Sequence, residues 1–304
     1  MHSRPPASAY AAAVGMTVAF GLSFVATKYA LRGFEPLLLA LLRFALAGGI
    51  LWVVWRLRFG RVRVSRAELG RLALLGFVSL TVYFSFENLG IARTSASEAA
   101  ILIATIPLFV VILNAFTLRE RTTARQWAGI ALSFAGIAAL VLLGGGGAGG
   151  AGGSLAGNLL VLAASLSAGV YSILARRLLV SRPALFVTTF QNLFGALFML
   201  PLAVAEALLV GVRQPTPAAA GGLLFLTMVC SITAFLLLNY AFRFIAASEV
   251  AVFINLTPIV AVAGAYALLG ERFTPGQAVA AVVVVAGVWL TNSGGGAARN
   301  PSAG

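Results

Sequence analysis

Apolar residues in this chain gather into ten runs of about twenty: 9–28, 36–55, 70–89, 95–117, 124–143, 155–174, 184–206, 218–240, 248–269 and 275–292. A helix rises 1.5 Å per residue, so ~20 apolar residues cross the ~30 Å hydrocarbon layer of a bilayer. Each run therefore predicts one membrane-spanning helix. The polar positions fall mostly between runs. The most basic interval is Arg56-Leu57-Arg58-Phe59-Gly60-Arg61-Val62-Arg63-Val64-Ser65-Arg66, and a neutral glycine-rich tract at 144–153 reads as a flexible linker. The first run is longer than the apolar core of a signal peptide and belongs to a repeated pattern, so it predicts a helix and not a cleaved leader.

Composition agrees with this reading. Of 304 residues, 61% are hydrophobic and 10% charged, against about 25% charged in a soluble domain. A net charge of +13 and a pI near 11.4 would suit a nucleic-acid partner if the charge formed one patch, but it does not. With the N-terminus in the cytoplasm, fifteen of the twenty-one basic residues lie in cytoplasmic segments. Five (Lys28, Arg32, Arg93, Arg213, Arg272) face the other side, and Arg43 alone lies inside a span. This is the positive-inside bias of a polytopic protein, so the expected partners are the bilayer and a small molecule, with no nucleic acid. A single cysteine (Cys230), a single histidine (His2) and the absence of Asp leave no zinc ligand set and no Ser-His-Asp triad. No cofactor, no metal and no enzymatic activity are expected, in a monomer or weak homo-oligomer.

The chain also repeats itself. At a constant offset of 151 residues, Ser97-Glu98 matches Ser248-Glu249, Pro107 matches Pro258, Glu120-Arg121 matches Glu271-Arg272, Thr123 matches Thr274 and Gly136 matches Gly287. Over 97–140 against 248–291 there are thirteen identities in forty-four positions, and Asn88 meets Asn239 further upstream. Five spans per copy is an odd number, so the copies must cross the membrane in opposite senses. The predicted fold class is all-α: ten transmembrane helices as two inverted five-helix repeats around a central cavity. The first repeat covers 1–143, the linker 144–153, the second repeat 154–292 and a tail 293–304. Inverted repeats are the architecture of alternating-access transporters, with substrate held near the midplane where the copies meet.

Several residues stand out against the apolar background. Pro107 and Pro258 sit mid-span, where each removes a backbone hydrogen bond and frees the carbonyl four residues earlier, Ile103 and Ile254. They read as paired hinges beside the substrate, or as tolerated kinks. Glu98 and Glu249 begin the fourth and ninth spans; they read as gate or coupling groups, or as helix-start carboxylates, Ser95-x-x-Glu98 resembling a capping box. Arg43 reads either as the partner of Glu87 or Glu98 or as the group that binds a substrate carboxylate. Glu87, Asn88, Tyr83, Thr105, Tyr171, Gln191, Asn192, Asn239 and Asn255 are candidates for the cavity wall or for interhelical hydrogen bonds. Glu120-Arg121 and Glu271-Arg272, each followed by a Thr, read as helix–helix turns.

These features resemble the ten-helix EamA-type branch of the drug/metabolite transporter superfamily. The resemblance rests on two halves with a Pro inside the fourth helix of each and on the endings Leu118-Arg119-Glu120-Arg121-Thr122-Thr123 and Leu269-Gly270-Glu271-Arg272-Phe273-Thr274. Arg43-Phe44 also fits, as does Phe20-Gly21-Leu22-Ser23-Phe24, where Phe20 replaces the family's usual Trp. It implies a basket of ten helices around a cavity that includes Phe20 and Phe24. The implied function is export of small neutral or zwitterionic metabolites, aromatic and other neutral amino acids foremost, or of toxic organic compounds. The implied place is a bacterial inner membrane, with both termini cytoplasmic. An exchanger of phosphorylated or nucleotide-linked sugars is the rival transport reading. It would call for several basic residues in the core, where the sequence supplies Arg43, with Lys28 at the edge. A membrane-embedded enzyme is the alternative outside transport.

Overall fold

The structure is a computed structural model that describes residues 6–60, 64–117, 122–144, 153–179, 182–242, 244–245, 250 and 253–293, the side chains of 144, 175–179, 184, 239 and 242 aside. Helices follow the apolar runs in order: α1 Ala7–Ala30, α2 Pro36–Phe59, α3 Arg66–Ile91, α4 Ala96–Thr117, α5 Ala124–Gly144, α6 Leu155–Leu179, α7 Ala184–Val210, and α8 in the consecutive pieces Pro217–Leu224, Phe225–Thr233 and Ala234–Phe242. They continue with α9 Thr257–Leu269 and α10 Pro275–Ser293. Among the described residues nine helices are long and apolar enough to cross a membrane, and the tenth, α9, is an apolar helix of shorter described length. No strand occurs among them.

Several helix ends lie beyond the edges of the apolar runs, for local reasons. α2 continues through Arg56 and Arg58, whose positive charges suit its C-terminal carbonyls, and stops at Gly60 with φ 70°. α3 starts four residues before its apolar run because Ser65 caps it, accepting a hydrogen bond from Glu68 N. Arg182 then joins Glu68 at 2.6 Å, tying the start of α3 to the connection before α7.

The two repeats interlock. α1 packs on α8 and α9 of the second repeat, and α6 packs on α3 and α4 of the first, so each copy lends its opening helix to the other. The two most extensive contacts pair equivalents with each other, α2 with α7 and α5 with α10, and α3 also packs along α7. At the last of these the pseudo-two-fold relation is visible atom by atom. Ser133 Oγ donates to Val284 O at 3.0 Å, and these two residues are counterparts at the 151-residue offset. The helices approach so closely there that a Cβ on Gly287 would lie 2.5 Å from Ser133 N and 2.6 Å from Gly129 O. Between apolar helices in lipid, close backbone approach of this kind replaces the hydrophobic drive available in water.

Pseudo-symmetry extends to the irregular backbone. α3 contains a π-helical stretch at Phe77–Val82 and α8 one at Phe225–Thr233; the first, shifted by 151, falls within the second. α4 breaks at Ala104-Thr105, before Pro107, and α9 follows the same break at Asn255-Leu256, before Pro258. The hydrogen bonds of the breaks match one for one. Thr105 N donates to Leu102 O at 3.2 Å and Leu108 N to Thr105 O at 2.9 Å; Leu256 N donates to Phe253 O at 3.0 Å and Ile259 N to Leu256 O at 3.1 Å. The well-partnered carbonyls are thus Leu102 and Phe253, one residue earlier than the missing proline N–H alone implies. The turn redirects the amides of Thr105 and Leu256 onto them.

Each of these carbonyls takes a further hydroxyl from the opening helix of the opposite repeat. Ser165 in α6 donates to Leu102 O at 3.0 Å, and Thr17 in α1 donates to Phe253 O at 2.9 Å. Two stability predictions follow from this packing. Gly287→Ala should lower the melting temperature in detergent by the equivalent of about 1–3 kcal/mol of overpacking, whereas Gly49→Ala, where a Cβ meets nothing within 4 Å, should leave it unchanged or raised. Thr17→Val and Ser165→Ala should each cost about 1 kcal/mol, the net worth of one hydrogen bond; variants that melt with the parent would show that the kinks need no cross-repeat support.

Candidate functional site

Two polar assemblies lie where the repeats meet. The first is built around Arg43, 8% exposed in the first half of α2. Its Nε donates to Ser231 Oγ at 2.8 Å, in the π-helical stretch of α8. Its guanidinium lies 4.8 Å from the ring centroid of Phe84 and 5.5 Å from that of Phe44, which contact each other edge-on at 4.7 Å. Cation–π attraction of this kind helps to hold a charge away from bulk water. Next to Phe84 in the chain, Tyr83 donates its hydroxyl to Glu87 Oε1, one helical turn further on, at 2.8 Å. Glu87 and Arg43 sit within electrostatic reach of each other without forming an ion pair.

The sequence offered Glu87 or Glu98 as the partner of Arg43, and the structure corrects both. Arg43 is bonded to Ser231, Glu87 is held by Tyr83, and Glu98 belongs to the second assembly.

A related arrangement recurs on the opposite side of the pseudo-axis. Gln191 in α7 donates to Ser79 Oγ in the π-helical stretch of α3 at 3.2 Å, as Arg43 in α2 does to Ser231 in that of α8. Tyr171 lies beside Gln191. Beside them Asn192 donates to Thr188 O at 2.8 Å, and its Oδ1, like Thr227 Oγ1, is buried without a partner among the described residues. π-Helical turns widen the helix and commonly mark functional positions. Here they present Ser231 and Ser79 to the facing helices.

The second assembly closes the end of the bundle that carries Lys28 and Arg93. Glu98, fully buried at the start of α4, accepts four hydrogen bonds on its carboxylate. Thr94 Oγ1 (2.9 Å), Gly153 N (3.1 Å) and Asn158 Nδ2 (3.1 Å) donate to Oε2, and Gln277 Nε2 (3.1 Å) donates to Oε1. The donors come from the α3–α4 turn, the segment before α6, α6 itself and α10, so one carboxylate joins both repeats. Glu271, after α9, reciprocates across the interface. It accepts from Ala96 N and Ser97 N, both at 2.9 Å, and from Ser97 Oγ at 2.7 Å. A carboxylate on unpaired first-turn amides is the favourable helix-dipole arrangement. The sequence read Glu271 as a turn residue; it is also the cap of a helix in the other repeat. Gly153, read as linker, is packed into this assembly, where a Cβ would lie 2.7 Å from that of Thr94.

Other candidates fall elsewhere. Asn88 donates to Pro36 O at 2.9 Å and anchors the start of α2. Thr105 turns its hydroxyl back to Leu102 O at the α4 break, and Asn255 is exposed in the corresponding turn before α9. Phe24 is buried in the core formed with Ala99, Ala100 and Ala261. Phe20 meets Phe235 edge-on at 6.0 Å. Pro258 is buried and Pro107 half-buried at the two breaks. Glu249, Glu120, Arg121 and the side chain of Asn239 lie outside the described residues. Ser231, Ser79, Asn158 and Gln277 were not among the candidates. Gln277 could have been found, since it is one of the repeat identities, paired with Gln126.

Comparison with known proteins agrees with this architecture. The model of the EamA-like transporter family matches twice, at residues 7–142 and 155–293. An uncharacterized transporter of Archaeoglobus fulgidus is 29% identical over 276 residues, covering 89% of this chain and 92% of its own. A probable terminal-alkyne amino-acid exporter of Streptantibioticus cattleyicolor is 30% identical over 278 residues, 90% of each chain. A probable amino-acid metabolite efflux pump of Salmonella typhimurium is 29% identical over 286 residues, 90% of this chain and 91% of its own. A crystal structure superposes with a TM-score of 0.63 over 95% of this chain and 99% of that one, at 20% identity, and so shares its fold. A multi-pass membrane protein made of two matching halves, this chain belongs to the EamA-like transporter family.

Proposed function

We propose that this transporter exports small neutral or zwitterionic metabolites, amino acids foremost, by alternating access. The carrying observation is the Arg43 cluster, a guanidinium buried at the repeat interface, bonded among the described residues through Nε alone and set near a carboxylate with which it does not pair. A guanidinium whose terminal nitrogens make no hydrogen bond suits a carboxylate, Glu87 suits an ammonium group, and Phe44, Phe84 and Tyr83 supply the apolar wall of a small-molecule site. The names of the exporter from Streptantibioticus cattleyicolor and the efflux pump from Salmonella typhimurium support the same substrate class. A sugar-phosphate exchanger would call for several cations at this position, where the described core places one. Tyr171 and Gln191, on the opposite side of the pseudo-axis, extend the proposed pathway.

In this reading the protein sits in a bacterial inner membrane with both termini cytoplasmic. The Glu98 assembly then closes the outer end, Glu249 is its counterpart at the inner end, and the breaks at Pro107 and Pro258 are the hinges.

Uptake into proteoliposomes across an amino-acid panel, with and without a pH gradient, tests the proposal. Flux of aromatic and neutral amino acids is expected; no flux for any amino acid overturns the substrate class. Arg43→Lys, which keeps the charge and loses the planar fork, should weaken apparent affinity for carboxylate substrates by roughly tenfold or more, the scale of one charge-assisted hydrogen bond. Unchanged affinity would remove Arg43 from the site. Glu98→Gln keeps the shape but presents an NH₂ group to donors that need an acceptor, so it should slow exchange. Full-rate transport in both Glu98→Gln and Glu249→Gln would sink the gating role.

A further inference from the structure

A cavity of about 470 Å³ opens at the Lys28 end of the bundle, between the ends of α1, α2, α3 and α7 and away from the Arg43 cluster. Five ionisable side chains line it: Lys28, Glu35, Arg93, Glu206 and Arg213. Two of them are largely committed. Glu206 Oε2 caps the start of α2, accepting from Leu37 N at 2.8 Å and Leu38 N at 3.1 Å. Arg213 reaches Glu35 Oε1 with its Nε at 3.4 Å and its backbone N at 3.2 Å, and Leu31 O with Nη1 at 3.4 Å.

The other three keep capacity to spare. Glu35 is 2% exposed, and while its Oε1 meets Arg213, its Oε2 is buried with no hydrogen-bond partner among the described residues. A buried acceptor left empty is costly, more so on a charged group, and an ammonium group is the donor that best relieves a carboxylate. Lys28 makes no hydrogen bond and no ion pair among the described residues, although it lies within electrostatic reach of Glu271 and Glu98. Arg93 spends Nη1 on Leu89 O of its own helix and forms no ion pair among the described residues. One wall thus offers an unfilled acceptor and another two unpaired cations, in a space within the usual range of small-molecule sites.

We infer that this cavity is a second solute site, specific for small zwitterions, with the ligand's ammonium on Glu35 and its anionic group on Lys28 and Arg93. For its physiological ligand it rests on the reading above, in which the same solute leaves the protein at this end. Lys28 then links the site to the Glu98–Glu271 assembly, whose charges reach it. An ethanolamine phospholipid headgroup carries the same pair of charges, so the test separates the two sources.

Ala92 also lines the cavity and is exposed, while the native Cys230 is buried. Ala92→Cys therefore allows occupancy to be read as slowed modification by a thiol-directed methanethiosulfonate in phosphatidylcholine vesicles. L-Phenylalanine should protect at a concentration at least tenfold below that needed of phenethylamine or 3-phenylpropionate. Adding Glu35→Gln should bring phenylalanine level with 3-phenylpropionate, and adding Lys28→Gln should bring it towards phenethylamine. Lys28 makes no bond within the described fold, so that variant carries the test if Glu35→Gln fails to fold. Equal protection by the zwitterion and either half-ligand overturns the inference, as does protection insensitive to both substitutions.

Slowed modification on adding phosphatidylethanolamine, with none from amino acids, upholds the zwitterion chemistry and assigns its source to the bilayer. Flux in the same vesicles separates the two readings. Protection without amino-acid flux sinks the export reading alone, and flux without protection sinks this site alone.

Discussion

A backbone carbonyl inside a bilayer has no water to accept from, so every interruption of a membrane helix must be answered by protein. In this transporter two interruptions, at Ala104-Thr105 and Asn255-Leu256, are answered by the same device used twice. Ser165 and Thr17 reach from the opening helix of one repeat to the broken helix of the other. The exchange of opening helices is thereby tied to the kinks. α1 and α6 must lie in the opposite repeat for their hydroxyls to meet Phe253 and Leu102, and with them there the repeats cannot fold as two separate bundles. The tight contact of α5 with α10 around Gly129, Gly136 and Gly287 then closes the interlocked pair at the pseudo-axis.

The polar assemblies inherit their positions from this arrangement. Arg43 reaches Ser231 because α2 faces the π-helical part of α8, which itself packs on α1. Glu98 can gather donors from α6 and α10 because α4 begins where those two helices also begin. One assembly has an unfilled partner set and the other a filled one. Among the described residues the Arg43 guanidinium uses one of its donors, whereas the Glu98 carboxylate accepts four hydrogen bonds. The proposed binding group and the proposed gate differ in that quality.

Much of this was legible in the chain because duplication writes the same constraint twice. Pro107 with Pro258 and Gly136 with Gly287 mark the kinks and the close helix contact, and both backbone breaks fall where the prolines place them. What stayed hidden are partners defined by long-range geometry. Thr17 and Ser165 also bond carbonyls of their own helices, Ala13 at 2.9 Å and Val161 at 3.2 Å. A hydroxyl of that kind is ordinary in any apolar helix, and nothing local shows that it serves two masters. The π-helical stretches lack even a proline to announce them. Glu271 was readable only as a turn, because the amides it caps lie 175 residues away.

The pseudo-symmetry also separates what is local from what is long-range. Gln126 and Gln277 are repeat counterparts and make the same local cap, each accepting through Oε1 from the N–H of the preceding Thr at 2.9 Å. That cap uses the amide oxygen alone. At Gln277 the nitrogen is spent on Glu98 of the other repeat, while the counterpart of Glu98, Glu249, lies outside the described residues. Local sequence therefore accounts for the cap, and the placement of one repeat against the other accounts for the contact with Glu98.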